Sequence, residues 1–112
     1  MRYFETIFLE DVMLFLETLY VKTVRKILFN IDLAEQTNDA TLFKKLQKDI
    51  WEFRTLYTGK QIRLLAFWDK TRPDKTLVVS TNGIIKKVSK MPKRTIQKAI
   101  QHKETYFNNK NI

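Results

Sequence analysis

Two groups of basic side chains carry the chemistry that this sequence could perform. Arg54 and Arg63 lie on either side of Tyr57-Thr58-Gly59-Lys60. A two-residue turn at Thr58 and Gly59 pairs Tyr57 with Lys60, and a four-residue loop gives the same register. That register sets Arg54 directly opposite Arg63 on one face of a hairpin. Arginine's planar fork binds phosphate through two donors, so two facing arginines suit a single anion. A purely structural reading stands beside this one. Like charges opposite one another weaken a sheet, Glu52 lies diagonally from Arg63 and could neutralise part of the repulsion, and a three-residue bulged turn would shift the register by one. The second group is Lys86, Lys87, Lys90, Lys93 and Arg94, all between Ile85 and Thr95. Segments at the end of a sheet commonly carry function; the plain alternative is a solvated connector. Phe67, Trp68 and Tyr57 could stack on bases, although strand aromatics commonly belong to the core.

Little other chemistry is on offer. The 112 residues include no cysteine and one histidine, which leaves no thiolate nucleophile, disulfide framework or zinc-ligand set. No metal and no cofactor is expected. There is no P-loop and no GxGxxG, and two glycines are too few for a phosphate cradle. His102 sits among lysines and reads as a solvated surface residue. Charge is uneven along the chain. Residues 1–74 hold 12 Lys and Arg against 11 Asp and Glu, whereas residues 75–112 hold 9 against 1. A basic field confined to one third of a small domain attracts polyanions, nucleic acid first among them. No apolar run approaches the roughly 20 residues of a membrane span, and the N-terminal ten residues carry no signal-peptide pattern. A single domain over 1–112, cytoplasmic and without a membrane partner, is the expectation.

The elements that must position these side chains follow from periodicity. Residues 3–9 read as a short strand. Val12, Phe15, Leu16 and Leu19 recur at helical spacing, as do Val24, Ile27, Leu28, Ile31 and Ala34. These two helices are expected to form an antiparallel pair joined near residues 20–22. Asn38 and Asp39 end the second helix and are expected to cap a short third one holding Leu42, Phe43 and Leu46. Residues 50–57, 60–69 and 77–80 read as strands, with a turn at Arg72-Pro73-Asp74. Asn82 and Gly83 fit either a hairpin turn or a glycine bulge inside one longer strand. Pro92 suits the first turn of a last helix that buries Ile96, Ala99 and Ile100, with residues 108–112 frayed. Along the hairpin, Trp51, Phe53, Thr55, Ile62, Leu64 and Ala66 form the better core face. The order of elements indicates an α+β domain with its helices against one face of an antiparallel sheet.

Three motifs carry a resemblance. The run Ile50-Trp51-Glu52-Phe53-Arg54, the run Gln61-Ile62-Arg63-Leu64-Leu65-Ala66-Phe67, and Asn82-Gly83-Ile84-Ile85-Lys86-Lys87 followed by Pro92 together resemble the RelE/ParE toxin superfamily, in its HigB-like, phage-derived branch. Departures are Phe53 for leucine, Ile62 for tyrosine, and Asn82 with Ile84 for histidine and phenylalanine. The resemblance implies two N-terminal helices packed on a small antiparallel β-sheet with a C-terminal helix. It also implies a type II toxin held inactive by a cognate antitoxin, commonly of the helix-turn-helix kind in this branch. RelE-like and HigB-like members cut mRNA in the ribosomal A site.

In that light Gly83 belongs inside the last strand, and Arg54, Arg63, Lys86 and Lys87 line one surface as the catalytic candidates. Lys90, Lys93, Arg94 and Phe67 are the candidate RNA contacts. Cleavage without a metal needs the 2′-hydroxyl deprotonated, the phosphorane charge stabilised and the leaving oxygen protonated. Arg54 and Arg63 suit the second task. Lysine beside other cations has a lowered pKa, which makes Lys86 or Lys87 the candidate acid or base. Two other readings remain at this stage: a ParE-like toxin acting on DNA gyrase, and a non-catalytic basic nucleic-acid-binding module.

Overall fold

The computed structural model describes residues 1–110. In chain order the elements are β1 (Glu5–Phe8), α1 (Glu10–Glu17), α2 (Val21–Thr37), β2 (Phe43–Gln47), β3 (Ile50–Tyr57), β4 (Lys60–Asp69), β5 (Leu77–Lys86) and α3 (Lys93–Lys110). The strands form one sheet in the order β1-β5-β4-β3-β2. Strands β2 to β5 make the expected antiparallel meander. β1 adds to its edge parallel to β5, so the sheet is mixed. Only strands joined by tight turns are forced to run antiparallel, and no such turn links β1 to β5. The α+β class is as expected.

Strand alternation gives this sheet two unlike faces. Phe53, Ile62, Leu64 and Ala66 are buried with Val12 and Leu16 of α1 and Ile27, Ile31 and Ala34 of α2. α1 packs mainly on β5 and α2 on β3. Of the positions assigned to the inner face of α2, Leu28 is exposed. The opposite face is half covered by α3 and the link before it, where Ala99, Ile96 and Ile100 with Met91 enclose Ile50 and Leu65. The helices therefore occupy both faces rather than one. The reason lies in Ile50, Leu65 and Phe67, apolar side chains on the second face that also need cover.

The third helix expected after Asn38 is instead strand β2. Asn38 does end α2, in the left-handed region at φ 56°, with its N–H on the Ala34 carbonyl at 3.0 Å. Asp39 then makes one turn: its Oδ1 accepts from the N–H and Oγ1 of Thr41, both at 2.8 Å, and its carbonyl accepts from the N–H of Leu42 and of Phe43. The apolar spacing misled because positions three apart lie on opposite faces of a strand. Phe43 enters the core under α1 and α2 while Leu46, at a bulge, packs toward α3.

Asn82 and Gly83 lie inside one continuous strand, β5. The bulge is at Thr81: Ala66 pairs with Ser80 but Leu65 pairs with Asn82. Gly83 serves a different need. A Cβ there would fall 2.7 Å from Cε2 of Phe15 and 2.8 Å from Cδ2 of Leu64, so glycine lets α1 sit down on β5. Pro92 directly precedes α3, and its carbonyl accepts from the N–H of Thr95 and Ile96. Asn108 and Asn109, expected to fray, are helical; residues 111 and 112 lie outside the described residues.

α3 is tied to α1 through Asp11, whose Oδ2 accepts from Nε2 of His102 at 2.7 Å and from Nζ of Lys98 at 3.3 Å. His102 is thus an interhelical partner rather than a solvated residue. Its hydrogen bond, more than the contribution of Lys98, holds the Asp11 carboxyl below its ordinary pKa against the opposing effect of burial.

Two outcomes follow from this packing. Gly83→Ala should lower stability by about 1–3 kcal/mol in urea unfolding, the usual penalty for overpacking; an unchanged midpoint would mean that Phe15 moves aside freely. A carboxyl with a depressed folded pKa stabilises fully above its unfolded pKa and loses that contribution as pH falls through the folded one. Between about pH 5 and about pH 2 the parent protein should therefore lose more stability than Asp11→Asn. Equal pH slopes for the two would rule out this tie.

Candidate functional site

The second sheet face is left open where α3 does not reach, and there the basic residues converge. The pairing of β3 with β4 sets Arg54 opposite Arg63, the register expected from the turn. Glu52 lies between them, with its Oε2 3.9 Å from Nε of Arg54 and its Oε1 3.5 Å from Nε of Arg63. The carboxylate is buried, at 6% side-chain exposure. The expected neutralising role of Glu52 is present in this geometry, though neither contact has hydrogen-bond geometry.

The two arginines are held differently. The Arg63 side chain is 5% exposed. Its Nη1 donates to the Ile62 carbonyl at 3.2 Å and its Nη2 to Oε1 of Gln61 at 2.9 Å. Burial, with a smaller push from Arg54, lowers its pKa, and Glu52 works in the other direction. Arg54 is 33% exposed, and among the described residues no side-chain hydrogen bond engages its guanidinium. One fork is locked and one is free to meet a ligand.

Lys86 reaches the same face. It pairs with Gln61 across β4, which makes it a diagonal neighbour of Arg63, roughly 7–8 Å away between Cα atoms. Lys87 follows the last residue of β5 and is exposed, so no sheet register fixes it beside the arginines. Lys90 is exposed in the link to α3, and Lys93 and Arg94 are exposed in the first turn of α3. That turn is brought to this face by Asn82, whose Nδ2 donates to the Thr95 carbonyl at 3.2 Å. It carries no acidic residue, against the preference of a helix N-terminus for negative charge.

Phe67 is a correction. It is fully buried, with its ring 5.3 Å from Tyr106 and 5.4 Å from Phe107 of α3. It presents no face to a nucleotide and is core. Sequence reasoning also missed Lys26. Together with Thr41, Leu56 and Gln61 it lines a cavity of about 440 Å³ whose wall also includes Arg54 and Arg63. Its source is α2, so no spacing within the strand motifs could have revealed it.

Comparison with known proteins fits this geometry. Residues 14–104 match the family described as "Phage derived protein Gp49-like (DUF891)". The chain belongs to the Gp49-like family. This is a phage-derived toxin family of RelE-like fold, and a toxin family implies an antitoxin partner. Among solved structures, the Gp49-like chain is similar to E. coli toxin RelE, a double arginine-to-alanine mutant in the free state. The TM-score is 0.61 at 14% identity, over 90% of this chain and 97% of that one. At that identity the likeness establishes the RelE fold. No curated protein matches the sequence. Among the described residues, no helix of this Gp49-like protein is long and apolar enough to cross a membrane.

The burial of Glu52 between two guanidinium groups has an energetic consequence. Glu52→Gln removes the one carboxylate that, among the described residues, pairs with Arg54 and Arg63, and breaking a buried pair from one side leaves the other charges uncompensated. The variant should lose about 3 kcal/mol of unfolding free energy, and Arg63→Met added to it should restore part of that loss. A Glu52→Gln protein as stable as the parent would show that solvent already screens the pair.

Proposed function

We propose that this Gp49-like toxin is a ribosome-dependent endoribonuclease that cuts mRNA in the A site and so blocks translation. The observation that carries this reading is the juxtaposition of Arg54, Arg63 and Lys86 on one open sheet face, bordered by the cationic first turn of α3. Phosphodiester cleavage by the neighbouring 2′-hydroxyl passes through a phosphorane with extra negative charge. Donors fixed in advance where that charge develops lower the barrier most. Arg63 is such a donor, buried and oriented by Gln61 and the Ile62 carbonyl. Arg54 supplies the exposed fork that first meets the phosphate. Glu52, which screens the pair in the free protein, keeps the arginines aligned until the phosphate competes for them.

Two proton movements complete the reaction: the 2′-hydroxyl gives up its proton as its oxygen attacks phosphorus, and the departing 5′-oxygen gains one. The products are a 2′,3′-cyclic phosphate and a 5′-hydroxyl. Lys86, on the sheet beside Gln61, is the candidate for one transfer, and Lys87, on the adjoining link, for the other. Lys90, Lys93 and Arg94 would hold neighbouring phosphates of mRNA or ribosomal RNA. The ribosome supplies the geometric part of catalysis by presenting a strained codon. Partners in this reading are mRNA, the ribosome and a cognate antitoxin of helix-turn-helix type, in the cytoplasm.

Primer extension on a defined mRNA, with and without translating ribosomes, tests the proposal. Cuts inside codons only with ribosomes are expected, weakened by at least about a hundredfold in Arg54→Ala, the scale of one lost transition-state donor. Arg63→Lys, which keeps charge but loses the fork, should also cut poorly. Full cleavage by both folded variants would sink the assignment of these arginines. Growth arrest without any mRNA cut would instead favour a gyrase-directed toxin.

A further inference from the structure

A second basic cleft lies at the other end of the strands from the arginines, where the tryptophans of one sheet face meet α3 from the other. It has a volume of about 770 Å³. Trp51 and Trp68, the chain's two tryptophans, line it with Lys45, Lys48, Lys70 and Lys103. Five parts of the fold meet there: β2 gives Lys45, the β2–β3 turn gives Lys48 and Asp49, β3 gives Trp51, the end of β4 and the residue after it give Trp68 and Lys70, and α3 gives Lys103. Trp68 is five positions along β4 from Arg63, roughly 17 Å at strand rise, and an odd separation places the two on opposite faces.

Both tryptophans are partly buried against the core, and Trp68 meets Phe4 at 5.3 Å and 73° and Phe43 at 5.8 Å and 58°. Trp51 stacks on Phe43, with centroids 5.1 Å apart and planes 26° apart. It meets Trp68 nearly at right angles, at 5.5 Å and 82°. The Nζ of Lys70 stands over the Trp68 ring, 5.5 Å from its centroid. Lys70 is exposed on a flexible stem, so this cover is removable. The charges are poorly matched: Asp49 is the one acid lining the cleft and pairs with Lys103 at 3.2 Å. Among the described residues Lys45, Lys48 and Lys70 form no ion pair.

We propose that this cleft binds single-stranded nucleic acid, separately from the arginine face. An unpaired base takes the place of the Lys70 ammonium over the Trp68 ring, and Lys70 turns to a flanking phosphate. Lys45 and Lys48 hold the next phosphates along β2. Flat aromatic rings bordered by lysines are the arrangement that accepts a base and its backbone together. An acidic polypeptide would use the lysines and leave the ring beneath Lys70 without a role. The cleft would let the protein grip a strand outside the cutting site, whatever reaction occurs at the arginines.

Because the chain's tryptophans are both in the cleft, their fluorescence reports on it directly. Titration of the full-length protein with an oligouridylate roughly ten nucleotides long should give saturable quenching that weakens with salt. Lys45→Glu with Lys70→Glu, both exposed positions, should weaken binding by about tenfold or more at moderate salt. Arg54→Ala with Lys86→Ala should leave the quenching curve in place. Absence of quenching, or its loss in the Arg54→Ala, Lys86→Ala protein, would overturn the proposal. Equal quenching by heparin at matched charge would also overturn it, since that reports a polyanion patch with no base recognition. Quenching by poly-glutamate and not by the oligouridylate would transfer the cleft to an acidic protein partner.

Discussion

One extra residue in β5 sets the phase of everything around it. Side chains on a strand alternate, so Val78 and Lys86, eight positions apart, would share a face in a regular strand. The Thr81 bulge separates them. Val78 joins the core beneath α1 and α2, while Lys86 stands on the face with Gln61 and Arg63. Without the extra residue, anchoring Val78 inside would carry Lys86 to the helix side and leave Lys87 beside the arginines. The bulge is held by hydrogen bonds: Oγ of Ser80 donates to the Leu65 carbonyl at 3.1 Å, and the single proton of the Thr81 hydroxyl is directed to Oδ1 of Asn82 at 2.6 Å, with the Leu65 carbonyl at 3.2 Å as the alternative acceptor. Asn82 passes the constraint to the Thr95 carbonyl and so to α3.

The same face concentrates interactions that a stability-only sequence would avoid. Two arginines face each other, a carboxylate is buried between them without hydrogen-bond geometry, and a helix starts on lysine and arginine. Each opposes local stability. Violations of local rules gather at functional sites and are balanced elsewhere in the fold. Here the balance is the main core, an aromatic and aliphatic cluster continuous from Phe4 through Phe43, Phe53 and Trp68. It lies wholly on the other side of the sheet, so the cationic face can stay open without thinning it.

How much of this was legible in the sequence depends on how local each cause is. The β3–β4 hairpin was, because Thr58 and Gly59, at φ 51° and 77°, fix a turn whose register follows by counting. That register puts Arg54 opposite Arg63 by counting alone. The helices α1 and α2 were legible from spacing, since each buries one stripe. β2 was not, because the bulge between Lys45 and Gln47 breaks its alternation, and its Phe43 and Leu46 imitate a helix. The place of β1 depends on a pairing with β5 that nothing local encodes. The Thr81 bulge was hidden by the more conspicuous glycine two residues on, whose true role is to admit Phe15. For the site, Arg54, Arg63 and Lys86 could be grouped by strand parity. Lys26 could not, because α2 reaches the cavity only through tertiary packing, and Phe67 was misjudged because the covering helix was assigned to the other face.

What keeps the arginine face accessible is where α3 is allowed to begin. Its path is fixed at three points: Asn82 at the first turn, Asp11 with His102 midway, and Asp69 near the end, where Oδ2 accepts from the Tyr106 hydroxyl at 2.6 Å. Burial and that carboxylate push the Tyr106 hydroxyl to a pKa of about 12, so this last bond persists across the whole physiological range. The helix runs from Asn82 toward Asp69, away from Arg63 and Lys86. Extending it backward by one turn would lay its first residues toward the cationic face. Pro92 prevents this, because its ring excludes the residue before it from helical geometry. The link therefore leaves β5 as a bent, non-helical segment carrying the exposed Lys87 and Lys90, and the face remains open to a polyanion. A proline ahead of the helix, a bulge within the strand and an asparagine between them thus define the mouth of the site, while the arginines supply its chemistry.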